Sequence, residues 1–220
     1  FFKKLHNYAS VLKIELSKGK DFVMPDYNVF PDYKTRKEII NELCDRYKFI
    51  KHCFAGKSVC GRGIDVLHIG NTKNRVLCGG FHGSEYLTIL ALLKFFEECC
   101  EAMESDRTVG GCKIGNFLSI RGLTIVPCVN PDGTEIALHG SDAAFKYKPL
   151  VEKVCTDTYK WQANARGVDI NHNFNAGWCR LKQLELKNNI KCPAPTRFGG
   201  NHPESEPETK ALTTLCRNID

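Results

Sequence analysis

A histidine and a glutamate stand three residues apart in the string Phe81-His82-Gly83-Ser84-Glu85, just after the apolar run Arg75-Val76-Leu77-Cys78 and the pair Gly79-Gly80. An imidazole and a carboxylate placed where a buried strand turns into a helix can converge on one cation. Zinc accepts both ligand types, and catalytic zinc sites typically combine three protein ligands with a water. The pair is therefore half of such a site. Taken alone, the same residues also suit a hydrogen-bonded core histidine beside a glutamate favoured at a helix start by the helix dipole. The seven histidines and twelve cysteines would also permit a Cys-His nucleophile, as a thiol hydrolase needs, but no local signature accompanies one.

Positioning such a pair requires a strand and a helix on either side of it. Residues 33–47 carry apolar side chains at Ile39, Ile40, Leu43 and Tyr47, the spacing of a surface helix. Residues 49–54 and 64–69 are short runs of β-branched and aromatic residues separated by glycine-rich turns, and they read as paired strands. Residues 76–81 form a strand apolar on both faces, residues 87–103 an apolar-faced helix, and residues 123–129 another buried strand. Strand, helix and strand in that order make an α/β crossover, and ligands gather beyond the carboxyl ends of such strands. His82 and Asn130 both fall there. Asn130-Pro131-Asp132-Gly133 reads chiefly as turn chemistry, with Gly133 free to take positive φ. Residues 134–165 look irregular, 181–187 form a short helical patch, and 206–219 form a last helix with Ser205 as its cap.

Composition narrows the functional classes. The chain has 220 residues, 42% of them hydrophobic, which suits one substantial core. Its net charge of +6, from 31 basic and 25 acidic residues, mildly favours an acidic ligand. No basic block or basic-aromatic interleaving appears, so a nucleic-acid partner is not expected. The apolar runs are shorter than the roughly 18 residues of a membrane span. The chain begins Phe1-Phe2-Lys3-Lys4 without Met, which suggests a trimmed start, and no signal peptide is evident. The cysteines form no CxxC pair and suit free thiols in a reducing compartment, so a cytoplasmic location is expected.

Four strings occur in a fixed order: His82-Gly83-Ser84-Glu85, Val129-Asn130-Pro131-Asp132-Gly133, Asn164-Ala165-Arg166-Gly167-Val168-Asp169-Ile170-Asn171 and Glu204-Ser205-Glu206-Pro207-Glu208-Thr209. With them the chain resembles the zinc carboxypeptidase family. The likeness is greatest to its bacterial branch that cleaves γ-D-glutamyl-diaminopimelate bonds in peptidoglycan peptides. It runs from about residue 33 to the end.

The resemblance implies an α/β fold, an open mixed sheet flanked by helices with its C-terminal part missing. Residues 1–30, a weakly amphipathic segment from Leu5 to Leu16 followed by Lys/Gly and Pro-containing linker chemistry, read from the sequence itself as an N-terminal arm, and the resemblance makes residues 31–220 a catalytic domain truncated before its third zinc ligand. That ligand, a histidine, and the glutamate base belong in the family to segments beyond the last motif, so the chain reads as the front part of an enzyme. His82 and Glu85 would bind zinc, and Asp169 would orient His82 through its other ring nitrogen. Arg166 matches the position that stabilises the oxyanion. Asn171 and His172 occupy the pair that grips a substrate carboxylate. Histidine stands at the second of these positions, where the family uses the bidentate fork of arginine. Arg62 resembles a residue of the more distant substrate subsites, and a solvated turn arginine fits it too. Tyr147, Tyr159 and Trp178 suit packing better than a substrate groove. The implied substrate is a murein-derived peptide. A peptide- or cell-wall-binding module that kept the fold without the catalytic centre is the alternative.

Overall fold

The computed structural model describes residues 25–72 and 74–218. The amphipathic segment expected in the N-terminal arm lies outside the described residues. Helix α1 (Tyr33–Arg46) forms where its periodicity places it. Asp32 caps it by accepting the Thr35 N–H at 2.8 Å, and Ile39, Ile40 and Leu43 form its buried side. Two antiparallel strands follow, β1 (Lys51–Lys57) and β2 (Gly63–Ile69), with a bulge between Phe54 and Gly56. Next come β3 (Asn74–Cys78), the long helix α2 (Leu87–Glu104), and a small hairpin of β4 (Thr108–Val109) and β5 (Cys112–Lys113). Helix α3 (Ile114–Ile120) leads into β6 (Gly122–Val126). The remaining helices are α4 (Pro131–His139), α5 (Lys148–Val154), α6 (Trp178–Lys187) and α7 (Pro207–Arg217), joined by loops and 3-10 turns.

The main sheet runs β1-β2-β6-β3, with β2 antiparallel and β3 parallel to β6. This is the open mixed sheet that the motif order implies. Alternation along the strands sets the two layers. Leu67, Ile69, Leu123 and Ile125 point into one core with Ile40, Leu43, Ile89, Leu93 and Phe96 from α1 and α2. Ile64, Val66 and Val126 belong to a second core on the opposite face, closed by Ala211 and Leu212 of α7. Each such side chain, when fully buried, contributes roughly 1.5–3 kcal/mol. A third cluster, Ile136, Ala137, Val151, Trp161, Ala163 and Ala165, holds α4 and α5 against the segment that carries the later motifs.

Several expectations need correction. Strand β3 is shorter than 76–81 and lies at the sheet edge among the described residues, where Leu77 is 40% exposed. It ends at Gly79-Gly80, where Gly80 takes a φ of 57° that L side chains disfavour. Residues 130–133 form the start of α4: the Asn130 side chain accepts the Gly133 N–H at 2.9 Å and Pro131 occupies the first turn. Gly133 has no positive φ. Residues 134–165 are largely ordered, as the rest of α4, a 3-10 stretch and α5. Helix α7 is capped at Glu206 rather than Ser205, whose hydroxyl instead donates to the Glu206 carboxylate at 2.8 Å. No helix among the described residues is long and apolar enough to cross a membrane.

Candidate functional site

The chain leaves β3, turns through Gly79-Gly80 and delivers His82 and Glu85 on a loop ahead of α2. Three neighbours clamp that loop. The Gly83 and Ser84 N–H groups donate to the carbonyls of Gln162 and Trp161 at 3.3 and 2.9 Å. Asn130 Nδ2 donates to the carbonyls of Phe81, Gln162 and Ala163 at 3.0, 3.1 and 3.0 Å. Gly83 crosses the backbone of α4 so closely that a Cβ there would come 2.1 Å from the Gly133 carbonyl oxygen. Glycine is required at 83 by this approach.

His82 lies between two carboxylates. Its Nε2 is 3.2 Å from Asp169 Oδ1, and its Nδ1 is 3.0 Å from Glu85 Oε1. Asp169 is only 2% exposed and accepts the Arg197 N–H through Oδ2 at 2.9 Å. A carboxylate can only accept, so Asp169 places the proton on Nε2 and turns Nδ1 toward Glu85. Nδ1 is buried and makes no aligned hydrogen bond, with Glu85 Oε1 at 3.0 Å as its ion-pair partner. The Asp169 hydrogen bond, with Glu85 adding to it against the effect of burial, raises the imidazole to about 9. Burial pushes the Asp169 carboxyl up, but hydrogen bonds from His82 and the Arg197 N–H outweigh it and hold the carboxyl below its usual range.

An imidazole nitrogen 3.0 Å from a half-exposed carboxylate, with the other nitrogen anchored, fits two ligand positions of a zinc site. No group of three or more His, Cys, Asp or Glu side chains among the described residues is arranged to hold a metal. His82 and Glu85 thus supply a pair of donors that a cation would bridge, displacing the imidazole proton.

Asn171 and His172 adjoin this cluster. The His172 N–H donates to the Asp169 carbonyl at 3.0 Å, and the two residues line a cavity of about 280 Å³ with Phe174, Ala176, Trp178 and Leu181. His172 Nδ1 donates to the Arg197 carbonyl at 3.0 Å, which leaves Nε2 of a neutral ring as an acceptor. Gripping a carboxylate through Nε2 therefore requires the protonated ring. Trp178, expected to pack, lines this cavity while its indole donates to the Gly199 carbonyl at 2.9 Å.

The structure does not bring Arg166 or Arg62 to this cluster. Arg166 contacts Glu206 Oε2 and the Tyr147 hydroxyl, each at 3.4 Å, in a cleft that shares no lining residue with the one at His172. Arg62 is 10% exposed and committed elsewhere. It donates to Asp132 Oδ1 at 2.7 Å and to the Ala143 carbonyl at 3.0 Å, with the Phe145 ring over it. Its guanidinium ties the β1–β2 turn to the start of α4. Tyr159 is exposed rather than packed.

Sequence reasoning missed Gln162, Thr196 and Arg197. The Thr196 hydroxyl donates to Gln162 Oε1 and lies 3.4 Å from Asp169 Oδ2, so these residues wall the Asp169 side of the cluster. Gln162 is uncharged and Thr196 lies in a proline-rich loop, so neither carries a local signal.

The model of the zinc carboxypeptidase family matches residues 37–220. The chain belongs to the zinc carboxypeptidase family. Among its relatives, the gamma-D-glutamyl-L-diamino acid endopeptidase 1 of Lysinibacillus sphaericus is 31% identical over 191 residues, covering 85% of this chain and 47% of that protein. Carboxypeptidase B of Rattus norvegicus is 26% identical over 200 residues, covering 87% of this chain and 43% of that one. The structure of carboxypeptidase A from Helicoverpa armigera superposes with a TM-score of 0.59 at 19% identity, over 99% of this chain and 51% of that chain, and so shares the fold. The chain spans about half the length of the curated relatives it matches.

Proposed function

We propose that the full-length protein is a zinc metallopeptidase that hydrolyses an amide bond in peptidoglycan-derived peptides, at γ-D-glutamyl-diaminopimelate linkages. The observation that carries this reading is His82, anchored by Asp169 through one nitrogen and turning the other to the Glu85 carboxylate at 3.0 Å. The 31% identity to the endopeptidase from Lysinibacillus sphaericus supports the substrate class.

His82 and Glu85 would hold the zinc, which when bound polarises a carbonyl and lowers the pKa of a coordinated water. Asp169 fixes the ring orientation and keeps the imidazole a strong donor. The cavity beside Asn171 and His172 takes a flanking part of the substrate, with apolar contact from Phe174 and Trp178. Because His172 must be protonated to grip a carboxylate, the site lacks the permanent fork that a simple C-terminal carboxypeptidase uses. Cleavage inside a peptide fits this arrangement better. The net charge of +6 suits the acidic glutamyl and diaminopimelyl groups.

The test is incubation of full-length, zinc-loaded protein with a γ-D-glutamyl-meso-diaminopimelate peptide, followed by chromatography and mass spectrometry of the products. Cleavage at the γ-glutamyl bond that stops on chelation is expected. Binding of intact peptide with no fragments would replace the enzyme with a peptide-binding module.

A further inference from the structure

The Glu85 carboxylate is the less supported half of the His82–Glu85 pair. His82 is held at its ring by Asp169, and its loop is pinned through the Gly83 and Ser84 N–H groups. The Glu85 side chain is 48% exposed, and among the described residues only the His82 side chain meets its carboxylate. Where those oxygens stand therefore depends on the Glu85 backbone. That backbone is tied to Thr88, in the first turn of α2. The Thr88 N–H donates to the Glu85 carbonyl at 3.0 Å, and the Thr88 hydroxyl donates to the same oxygen at 2.7 Å.

The same hydroxyl has a second partner: its oxygen accepts the Gly80 N–H at 2.9 Å. A threonine hydroxyl carries one proton and two lone pairs, so donating to Glu85 while accepting from Gly80 uses it in both directions. Bonding back to a carbonyl three residues earlier is ordinary for threonine near a helix start. Reaching across to the end of β3 lies outside that local pattern. Gly80 is buried, and its carbonyl accepts the Asn130 N–H at 2.9 Å. One oxygen atom thus joins the residue where the chain leaves the sheet to the residue that ends the metal loop. Thr88 itself is exposed, so its methyl adds little to the core and the hydroxyl is what the position contributes.

We propose that Thr88 is a positioning residue for the metal pair: its hydroxyl closes the loop from Gly80 to Glu85 and sets where the Glu85 carboxylate stands relative to His82 Nδ1. The Gly80 end is fixed by Asn130, and the hydroxyl carries that fixed point to Glu85. Removing it leaves the buried Gly80 N–H without its acceptor and Glu85 with the Thr88 N–H alone. A metal site needs its ligands held at their spacing by groups that do not themselves touch the ion, and losing such a group typically costs 10- to 100-fold in affinity. This role rests on the zinc reading of His82 and Glu85 and adds to it a residue outside the ligand set.

The test uses full-length protein carrying Thr88→Val, which keeps the side-chain shape and removes the hydroxyl, and Thr88→Ser, which keeps the hydroxyl. Zinc affinity is measured by competition with a chromophoric chelator, and the cobalt-loaded forms are compared by visible absorption. Circular dichroism and urea unfolding of the zinc-free proteins check the fold. Thr88→Val should bind zinc about 10- to 100-fold more weakly and shift the cobalt bands. Thr88→Ala, which also lacks the hydroxyl, should do the same, and Thr88→Ser should keep the wild-type affinity and spectrum. A Thr88→Val protein that is less stable in urea but keeps the wild-type affinity and cobalt spectrum would overturn the proposal, because the hydroxyl would then brace the fold alone. Thr88→Ser losing as much affinity as Thr88→Val would overturn it as well. Wild type that binds neither zinc nor cobalt would bring down the zinc reading itself and this role with it, a result distinct from variants that bind as wild type does.

Discussion

Replacing Asn130 should loosen the whole site without touching a metal ligand. Its side chain is fully buried and does two jobs: Oδ1 caps α4 through the Gly133 N–H, and Nδ2 donates to three carbonyls, those of Phe81, Gln162 and Ala163. Losing a cap costs about 1 kcal/mol. Each carbonyl left short of a donor adds about 1 kcal/mol, less where another donor already serves it, as Gly83 serves Gln162. Asn130→Ala should therefore lose about 3–4 kcal/mol in equilibrium urea denaturation. The fluorescence of buried Trp161, which sits in the affected segment, can follow the transition. Asn130→Asp separates the two jobs. It keeps the cap but turns an oxygen toward three carbonyl oxygens, so its loss should match or exceed that of alanine. If Asn130→Asp instead stays within about 1 kcal/mol of wild type, the cap alone matters and the reasoning about the clamp is refuted.

Three further outcomes follow from the same geometry. Burial, opposed by the Val59 N–H and reinforced by Asp132, raises Glu208 from 4.5 to about 7. Its folded form holds the proton more tightly than its unfolded form, so its contribution is complete below pH 4.5 and is lost as pH rises through about 7. Unfolding free energy of wild type should therefore fall between pH 5 and 8, relative to Glu208→Gln, by about 3 kcal/mol; a pH-independent difference would count against this. Gly83→Ala forces two backbones apart and should cost about 3 kcal/mol or more, whereas Gly115→Ala, with nothing within 4 Å of the added methyl, should be neutral or mildly stabilising; equal effects in thermal unfolding would contradict the close crossing. Asp169→Asn removes the negative charge and one of the two acceptor oxygens that hold His82 and the Arg197 N–H, and should weaken zinc binding about 10- to 100-fold in a chelator competition. Unchanged affinity would remove Asp169 from the site.

The sheet was readable because its strands carry their signal locally. Residues 64–69 and 123–129 read as strands, and β2 and β6 form there, with alternate side chains in the two cores. The misreadings came from signals with two meanings. Asn130-Pro131-Asp132-Gly133 spells both a turn and a capped helix start, and only the packing of Ile136 and Ala137 on Trp161 decides for the helix. Helices α4 and α5 are too short for their periodicity to show. His82 and Glu85 were legible as a spaced pair, but the contact to Asp169 joins residues 87 apart and has no local trace. Arg62 and Arg166 have the same formal charge, yet buried Asp132 holds one and Glu206 with Tyr147 leaves the other half exposed. Only the fold distinguishes them.

The central claim is that His82 and Glu85 hold a zinc ion. Elemental analysis of the full-length protein after zinc loading and dialysis tests it most directly, alongside His82→Ala and Glu85→Ala variants shown to be folded by circular dichroism. Wild type should hold stoichiometric zinc, and both variants should lose it. Wild type that retains no zinc, or variants that retain as much as wild type, would contradict it.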